Sequence, residues 1–145
     1  MLIKTKDFGQ IDINEQDILS FPLGVYAYDD VKEFVLLNQD TDNGIVQLQA
    51  VKEQSPRFIM LDPFMYIEDY NPIISKSDIE YLNATSVEEF NIFVIAVVPE
   101  DITKLTVNLK SPVLINFKSK LGMQSILEND YPTRYFMLNE ERTDG

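Results

Sequence analysis

The 145-residue sequence predicts a mainly β fold of the β-rich α+β type. The expected architecture is a distorted small antiparallel β-barrel or a sandwich-like sheet, with two short helices in the middle third. Three observations support it: apolar and polar residues alternate in runs of strand length, turn signals separate those runs, and helix-start motifs occur in the middle third. Of the two sheet arrangements, the barrel is preferred.

The first twenty residues alternate with a period of two, as half-buried strands do. Phe8-Gly9-Gln10 breaks the alternation, so an N-terminal hairpin or meander is expected. Phe21-Pro22-Leu23-Gly24 then predicts a turn, because proline presets φ and glycine tolerates a positive φ. Further on, Asn43-Gly44 between the runs 34–37 and 45–51 is a strong hairpin signal. Residues 58–61 form the next strand, which Asp62-Pro63 ends.

The middle third carries two serine-to-glutamate spacings typical of a capping box, Ser77 to Glu80 and Ser86 to Glu89. Each predicts the start of a short helix. After them, residues 92–98 form an unbroken apolar run that is rich in β-branched residues, which is typical of a strand covered on both faces.

The C-terminal third contains Asn108-Leu109-Lys110-Ser111-Pro112-Val113-Leu114-Ile115-Asn116. Since proline cannot donate to a β-ladder, Pro112 belongs at a strand start, an edge or a bulge. We therefore expect two strands, in 104–109 and 112–117, that meet at 110–112. The two asparagines would satisfy backbone groups near the strand ends. Residues 124–127 predict a last strand, so the organisation is a single domain over 1–137 and a polar flexible tail over 138–145.

Charge and composition limit the classes of partner. Twenty-four acidic against twelve basic residues give a net charge of −12, which would repel nucleic acid and anionic membranes. We therefore expect no direct nucleic-acid binding and no membrane association. The sequence has no apolar run long enough to cross a bilayer and no cysteine, which fits a cytoplasmic protein. Acidic residues concentrate in 62–101, as either a solvated face or a docking surface for a basic protein.

Catalysis is not expected. Without histidine or cysteine, the chain lacks the usual general base at neutral pH, a thiol nucleophile and the nitrogen and sulfur ligands of zinc. No cofactor or metal site is predicted. Two alternatives to a binding protein stay open: a carboxylate-dependent hydrolase, and a structural or interaction subunit of another assembly.

Phe64, Tyr66 and Tyr70 form an aromatic cluster beside Glu68 and Asp69. The cluster has two interpretations. It is either core plus loop, or a partly exposed apolar patch ringed by acid that anchors another protein.

From Thr5 to Tyr131 the sequence resembles the flagellar assembly factor FliW family. The order and spacing of the matching positions, more than any single one, carry the resemblance. The matching positions include Phe8, Gly9, Phe21, Gly24, Leu48, Gln49, Asn108, Leu109, Pro112, Asn116 and Gln124, with Gly122 close by. The chain departs from the family in 25–28, where a Leu-Pro-Gly-Phe run is common. Ala27 tolerates a positive φ poorly, so a different turn is expected there.

The resemblance implies a protein that binds cytoplasmic flagellin and, when free, binds the translational repressor CsrA and relieves its repression of flagellin mRNA. Such a switch works by mass action between competing complexes. Candidate contacts to CsrA lie on an acidic face comprising Glu68, Asp69, Asp78, Glu80, Glu88 and Glu89. Candidate contacts to flagellin, in an apolar groove or at a sheet edge, are Tyr66, Tyr70 and Pro112.

Overall fold

The computed structural model describes residues 1–39 and 42–138. Within these ranges the chain is mainly β with two short α-helices, α1 (Pro63–Tyr66) and α2 (Lys76–Tyr81). Single 3-10 turns lie at Glu15–Asp17, Val87–Glu89 and Ile102–Lys104. The strands are β1 (Leu2–Thr5), β2 (Gly9–Asp12), β3 (Leu19–Ser20), β4 (Glu33–Leu37), β5 (Ile45–Ala50), β6 (Arg57–Leu61), β7 (Asn91–Val97), β8 (Thr106–Val107), β9 (Val113–Asn116), β10 (Leu121–Gln124) and β11 (Tyr135–Phe136).

Seven of these strands close into a barrel in the order β7-β6-β5-β4-β3-β10-β9, and β9 pairs again with β7. The preference for a barrel over a sandwich is therefore confirmed. All of the pairings are antiparallel except β3 with β10, which run parallel and meet at Ser20 and Leu121. Closure removes the free edges that an open sheet would present.

Both β8 and β9 pair with the same strand, β7. Thr106 and Val107 lie opposite Val97 and Ala96, while β9 lies opposite 91–93. The segment 106–116 is thus one strand path along β7, broken by a bend at 108–112. This confirms the expected break in the asparagine-flanked motif.

The two asparagines stabilise the two ends of that motif. The Asn108 side-chain oxygen accepts from the Ser111 N–H at 2.9 Å, inside the bend. The Asn116 amide donates to the Leu82 carbonyl at 2.7 Å, and its oxygen accepts from the Lys118 N–H at 3.0 Å. Both asparagines therefore satisfy backbone groups, as predicted.

The N-terminal hairpin is confirmed and lies outside the barrel ladder. Its strands β1 and β2 pair antiparallel, and the hydroxyl of Thr5 accepts from the Phe8 N–H and donates to the Gly9 carbonyl across the loop. Ile3 packs with Val35 and Val51 on the outside of the barrel. The hairpin signal at Asn43-Gly44 is also borne out, because β4 and β5 pair antiparallel.

Besides the cluster around Ile3, two larger apolar clusters form the core, one on each face of β7. The inner cluster takes side chains from β3, β4, β5, β6, β7 and β9, including Phe93. The outer cluster includes Val94 and is covered by the segment that carries α1 and α2. The prediction of a strand covered on both faces holds at 93–94. It is wrong at the end of the run, where Val97 is 61% and Val98 is 51% exposed.

Three local predictions need correction. The helix predicted to start at Ser77 is α2, which begins after Ser75, whose hydroxyl accepts from the Asp78 N–H at 3.2 Å, and Ser77 lies inside it. The second capping box forms, but on a single 3-10 turn. The last predicted strand is displaced, because β10 ends at Gln124. Beyond it, the N–H groups of Ser125 and Leu127 continue the pairing, to the carbonyls of 112 and 110.

The helix α1 and the strand β11 were not predicted, nor were the 3-10 turns at Glu15–Asp17 and Ile102–Lys104. Asp62 ends a strand, as expected, but it also caps α1 by accepting from the Phe64 N–H at 2.9 Å, with Pro63 at the first helical position. The short strand β11 pairs with β8. The predicted tail lies outside the described residues except for Leu138. Among the described ranges, the helices are all too short to cross a bilayer.

Candidate protein-binding site

The six predicted acidic residues divide into two groups. Glu68, Asp69, Glu80 and Glu88 are exposed. Asp78 is half-buried, and its carboxylate accepts from the Ser125 hydroxyl at 2.7 Å, which ties α2 to the segment after β10. Asp78 therefore has a structural role that the sequence did not indicate.

Glu89 is exposed, but its carboxylate is used within the chain. It accepts from the Thr85 hydroxyl and from the N–H groups of Thr85 and Ser86, at 2.5, 2.8 and 2.9 Å. The hydroxyl bond, followed by the backbone bonds, lowers the pKa of Glu89 below its ordinary value. The carboxylate therefore stays charged as the cap of the 3-10 turn, and four freely exposed acids form the rest of the predicted face.

Tyr70 is not part of an exposed groove. It is 5% exposed, its hydroxyl donates to the Leu109 carbonyl at 2.8 Å, and its ring centroid is 4.9 Å from that of Tyr131. Burial, with a smaller effect of Tyr131, raises its pKa. Tyr66 is 44% exposed and donates to the Asn43 carbonyl. Tyr70 therefore belongs to the core, whereas Phe64 and Tyr66 are exposed, and the Phe64 ring centroid lies 5.8 Å from that of Tyr70.

Pro112 is not at a sheet edge. It is buried immediately before β9, which lies between β10 and β7, and its carbonyl accepts from the Ser125 N–H at 2.8 Å. The prediction of an open edge at Pro112 is therefore wrong, because barrel closure pairs β9 on both sides.

A cleft of about 530 Å³ opens where the 21–28 segment meets the end of β10 and the bend at 108–112. Three apolar side chains in it are largely exposed: Tyr26 at 86%, Ile126 at 78% and Leu23 at 61%. We call this the Tyr26 cleft. Its lining residues are Leu23, Gly24, Tyr26, Asn108, Ser111, Gln124, Ile126 and Thr133.

Gln124 fixes the geometry of the Tyr26 cleft. Its side-chain oxygen accepts from the Tyr26 N–H at 2.9 Å, and its amide donates to the Ser111 carbonyl at 3.1 Å. One amide thus joins two loops across the end of β10. Gly24 has a φ of +70°, and a Cβ there would overlap the Asp29 backbone, so the loop needs glycine at this position.

The other family-motif positions are mainly structural. Phe21 and Leu48 are fully buried in the inner core and Leu109 in the outer one. Gln49 is fully buried and donates to the Gln54 carbonyl at 2.9 Å. Only Gly24, Asn108 and Gln124 from the motif line the Tyr26 cleft.

The turn that presents Tyr26 is tight. The Tyr28 N–H donates to the Val25 carbonyl at 2.6 Å, and Ala27 has a φ of +71°. The expectation that alanine would avoid a positive φ here is wrong. Ala27 adopts a conformation that favours glycine, because closure of the turn outweighs the local strain.

Replacing Ala27 with glycine should therefore raise the free energy of unfolding by about 0.5–1 kcal/mol. Glycine removes a strain of about 1–2 kcal/mol but adds unfolded-state entropy. Urea denaturation would measure the change. Ala96→Gly, at the last residue but one of β7, is the matched control and should lower stability by about 0.5–1 kcal/mol. A loss of stability in both variants would contradict the strain at Ala27.

The exposed residues of the cleft were missed from the sequence. Leu23 and Tyr26 lie within predicted turns, and Ile126 was assigned to a strand. The available signal was the presence of large apolar residues at turn positions, where polar residues are usual. The lining contains no Asp, Glu, Lys or Arg, and no group of three or more metal-binding side chains occurs in 1–39 and 42–138. The cleft is suited to a partner that makes apolar contacts, and the amide side chains of Asn108 and Gln124 lie at its wall.

Comparisons with known proteins agree with one another. A family model described as FliW protein matches residues 2–137. The flagellar assembly factor FliW of Ruminiclostridium cellulolyticum is 34% identical over 142 residues, covering 97% of this chain and 96% of the relative. That of Alkaliphilus metalliredigens is 35% identical over 97% of this chain and 88% of its own length. A crystal structure of the flagellar assembly factor FliW superimposes with a TM-score of 0.89 at 32% identity, over 97% of this chain and 99% of that one. The chain therefore belongs to the FliW protein family.

Proposed function

We propose that this chain is a cytoplasmic flagellar assembly factor that works by binding proteins in turn. It binds flagellin and, when free, binds the translational repressor CsrA and relieves repression of flagellin mRNA. The observation that carries the proposal is the Tyr26 cleft, where exposed apolar side chains are held on a hydrogen-bonded wall. The names of the relatives support the flagellar role.

The exposed side chains of the cleft suit a protein partner. Burial of a large apolar side chain contributes about 1.5–3 kcal/mol, and tyrosine is frequent among residues that dominate binding energy. Tyr26 is 86% exposed, so nearly all of its apolar surface is available for burial against a partner. Because Gln124 fixes the backbone of Tyr26, little loop ordering opposes binding.

Charge adds a separate contribution. The net charge of −12 and the exposed Glu68, Asp69, Glu80 and Glu88 attract a basic partner at long range. An RNA-binding repressor must itself attract a polyanion, so it is a basic partner of this kind. The contribution is to association rate and decreases with salt.

Titration calorimetry with purified flagellin and purified CsrA tests the proposed function. We expect the wild-type chain to bind each protein, and saturation with flagellin to reduce the heat of CsrA binding. Leu23→Ser should weaken binding of at least one partner about tenfold, because it removes apolar contact worth about 1.4 kcal/mol.

Leu2→Ser is the matched control, since Leu2 is 63% and Leu23 is 61% exposed, and Leu2 lies on the N-terminal hairpin. Its affinities should equal those of the wild type. If the wild-type chain binds neither flagellin nor CsrA, the proposed function is wrong. If the two leucine variants behave alike, the Tyr26 cleft is not the binding site.

A further inference from the structure

We propose that the Tyr26 cleft receives an amphipathic helix whose apolar face is bordered by lysine or arginine. This inference rests on the proposed function and adds the class of segment that the partner inserts. Three features of the cleft lead to it: the state of the backbone at its wall, the grouping of its apolar side chains and the charge at its rim.

Several backbone groups along the wall are bonded within the chain. The Tyr26 N–H and the Ser111 carbonyl bond to Gln124. The N–H groups of Ser125 and Leu127 donate to the carbonyls of 112 and 110, at 2.8 and 2.9 Å. An extended segment that adds to a sheet needs free backbone donors and acceptors along the edge. These backbone donors and acceptors are already bonded within the chain, so recognition at the cleft depends on side chains.

The apolar side chains form one group. Leu23 and Tyr26 come from the 21–28 segment, and Ile126 from the residues just after β10. Helices that dock by side chains present apolar residues at i, i+3 or i+4, and i+7, over about two turns. A helix satisfies its own backbone hydrogen bonds, so it can contribute an apolar face to this site without leaving polar groups unpaired.

Exposed carboxylates follow both of the chain segments that carry the apolar side chains. Asp29 and Asp30 follow the turn, with the Asp29 backbone against Gly24, while Glu128 and Asp130 lie shortly after Ile126. Bases also lie nearby, but two of them are directed to the backbone. Their contacts are Lys32 Nζ with the carbonyls of Pro22 and Asp29, and Lys110 Nζ with that of Asn129.

Arg134, beside the lining residue Thr133, is a third base near the rim, and it is exposed. The four carboxylates outnumber these three bases, which all keep their positive charge, and the whole chain has a net charge of −12. A partner helix therefore gains from basic residues beside its apolar face. Exposed ion pairs of this kind contribute about 0.2–1 kcal/mol each and weaken with salt.

Fluorescence anisotropy with designed peptides tests the inference on the full chain. The probe is a labelled leucine–alanine amphipathic peptide of about five helical turns, with lysines bordering the apolar face. A second peptide replaces the lysines with glutamates, and a third keeps the lysines but has a central proline, which breaks the helix. We expect the lysine peptide to bind at least about tenfold more tightly than either of the others, with the difference from the glutamate peptide shrinking at roughly 0.5 M salt.

Matched variants locate the binding. Asp29→Lys with Asp30→Lys should weaken binding of the lysine peptide several-fold more than Glu80→Lys with Glu88→Lys, which changes the net charge equally on another surface. Leu23→Ser should weaken it about tenfold, and Leu2→Ser should not change it.

Equal binding of the lysine and glutamate peptides, equal binding of the proline peptide, or equal effects of the two charge reversals would overturn the inference. The peptide comparison uses the wild-type chain, so it does not depend on the folding of any variant. Failure here is distinct from failure of the proposed function, which requires that flagellin and CsrA themselves do not bind.

Discussion

Gly122→Ala should lower the free energy of unfolding by about 2–3 kcal/mol. Gly122 lies in β10, and a Cβ at this position would overlap the ring of Phe21. Phe21 is fully buried and packs edge-on against Phe34, with ring centroids 5.1 Å apart. The ring cannot move without disturbing the inner core next to the β3–β10 contact that closes the barrel. Overpacking of a close-packed core costs about 1–3 kcal/mol, and urea denaturation followed by circular dichroism would measure it.

Two controls separate overlap from other effects of replacing a glycine. Gly9→Ala places a methyl group at a φ of +67° with no heavy atom within 4 Å, so it should show only the backbone strain of about 1 kcal/mol. Phe21→Leu combined with Gly122→Ala should be less destabilised than the sum of the two single variants, because the smaller side chain leaves room for the methyl. Additive effects, or a stability of Gly122→Ala within about 0.5 kcal/mol of wild type, would contradict this account.

Local elements of the fold could be predicted because their signals are local. Asn43-Gly44 supplies the positive φ of a hairpin turn, and Gly44 does have a φ of +71°. The N-terminal alternation places Ile3 on the buried side of its strand. The asparagines of the 108–116 motif bond to backbone groups, as expected of short amides near strand ends.

A closed barrel was preferred over a sandwich from the sequence, but no sequence signal showed which strands close it. The closing strand β3 has only two residues, Leu19 and Ser20, and it meets β10 in parallel about a hundred positions later, at Leu121. No local period reports such a contact. The predicted start of α2 was misplaced for a related reason. Ser75 and Ser77 are both good caps, and the chain path into α2 decides between them.

The candidate site was harder to predict than the fold. Tyr70 and Pro112 looked like surface positions, but packing against Tyr131 and the pairing of β9 on both sides bury them. The Tyr26 cleft depends on a hydrogen bond between residues 98 positions apart, Tyr26 and Gln124. The resemblance to the FliW family marked Gln124 but gave no reason for it. The structure supplies the reason, because one amide side chain bonds to both loops that form the cleft.

Asn116→Asp should lower the free energy of unfolding by about 3 kcal/mol at neutral pH. Asn116 is 3% exposed, and its amide donates to the buried Leu82 carbonyl at 2.7 Å. A carboxylate can still accept from the Lys118 N–H, but it cannot donate, and it places a charge against the carbonyl oxygen of Leu82. The Leu82 carbonyl still accepts from the Ser119 hydroxyl at 3.1 Å, so losing the shorter Asn116 bond costs about 1 kcal/mol, and burying a charge beside that carbonyl adds to this. Urea denaturation across a range of pH would measure the loss.

The effect of Asn116→Asp should depend on pH in a defined direction. Burial and the Leu82 carbonyl raise the folded-state pKa of the new carboxyl above its unfolded value of about 3.9. Relative to wild type, the charge-dependent part of the loss is therefore absent below the unfolded pKa. It grows as pH rises between the unfolded and folded pKa, because the protonated carboxyl can donate to Leu82 whereas the carboxylate cannot.

Two variants serve as controls for that pH dependence. Asn116→Ala removes the donor without adding a titratable group, so its difference from wild type should stay constant with pH. Asn108→Asp keeps the acceptor that bonds to the Ser111 N–H at 2.9 Å and lies at a half-buried position, so its loss at neutral pH should be smaller. If Asn116→Asp and Asn108→Asp lose equal stability at neutral pH, the donated bond to Leu82 does not distinguish the two asparagines. If the loss from Asn116→Asp does not vary with pH, the introduced group is not charged against that carbonyl.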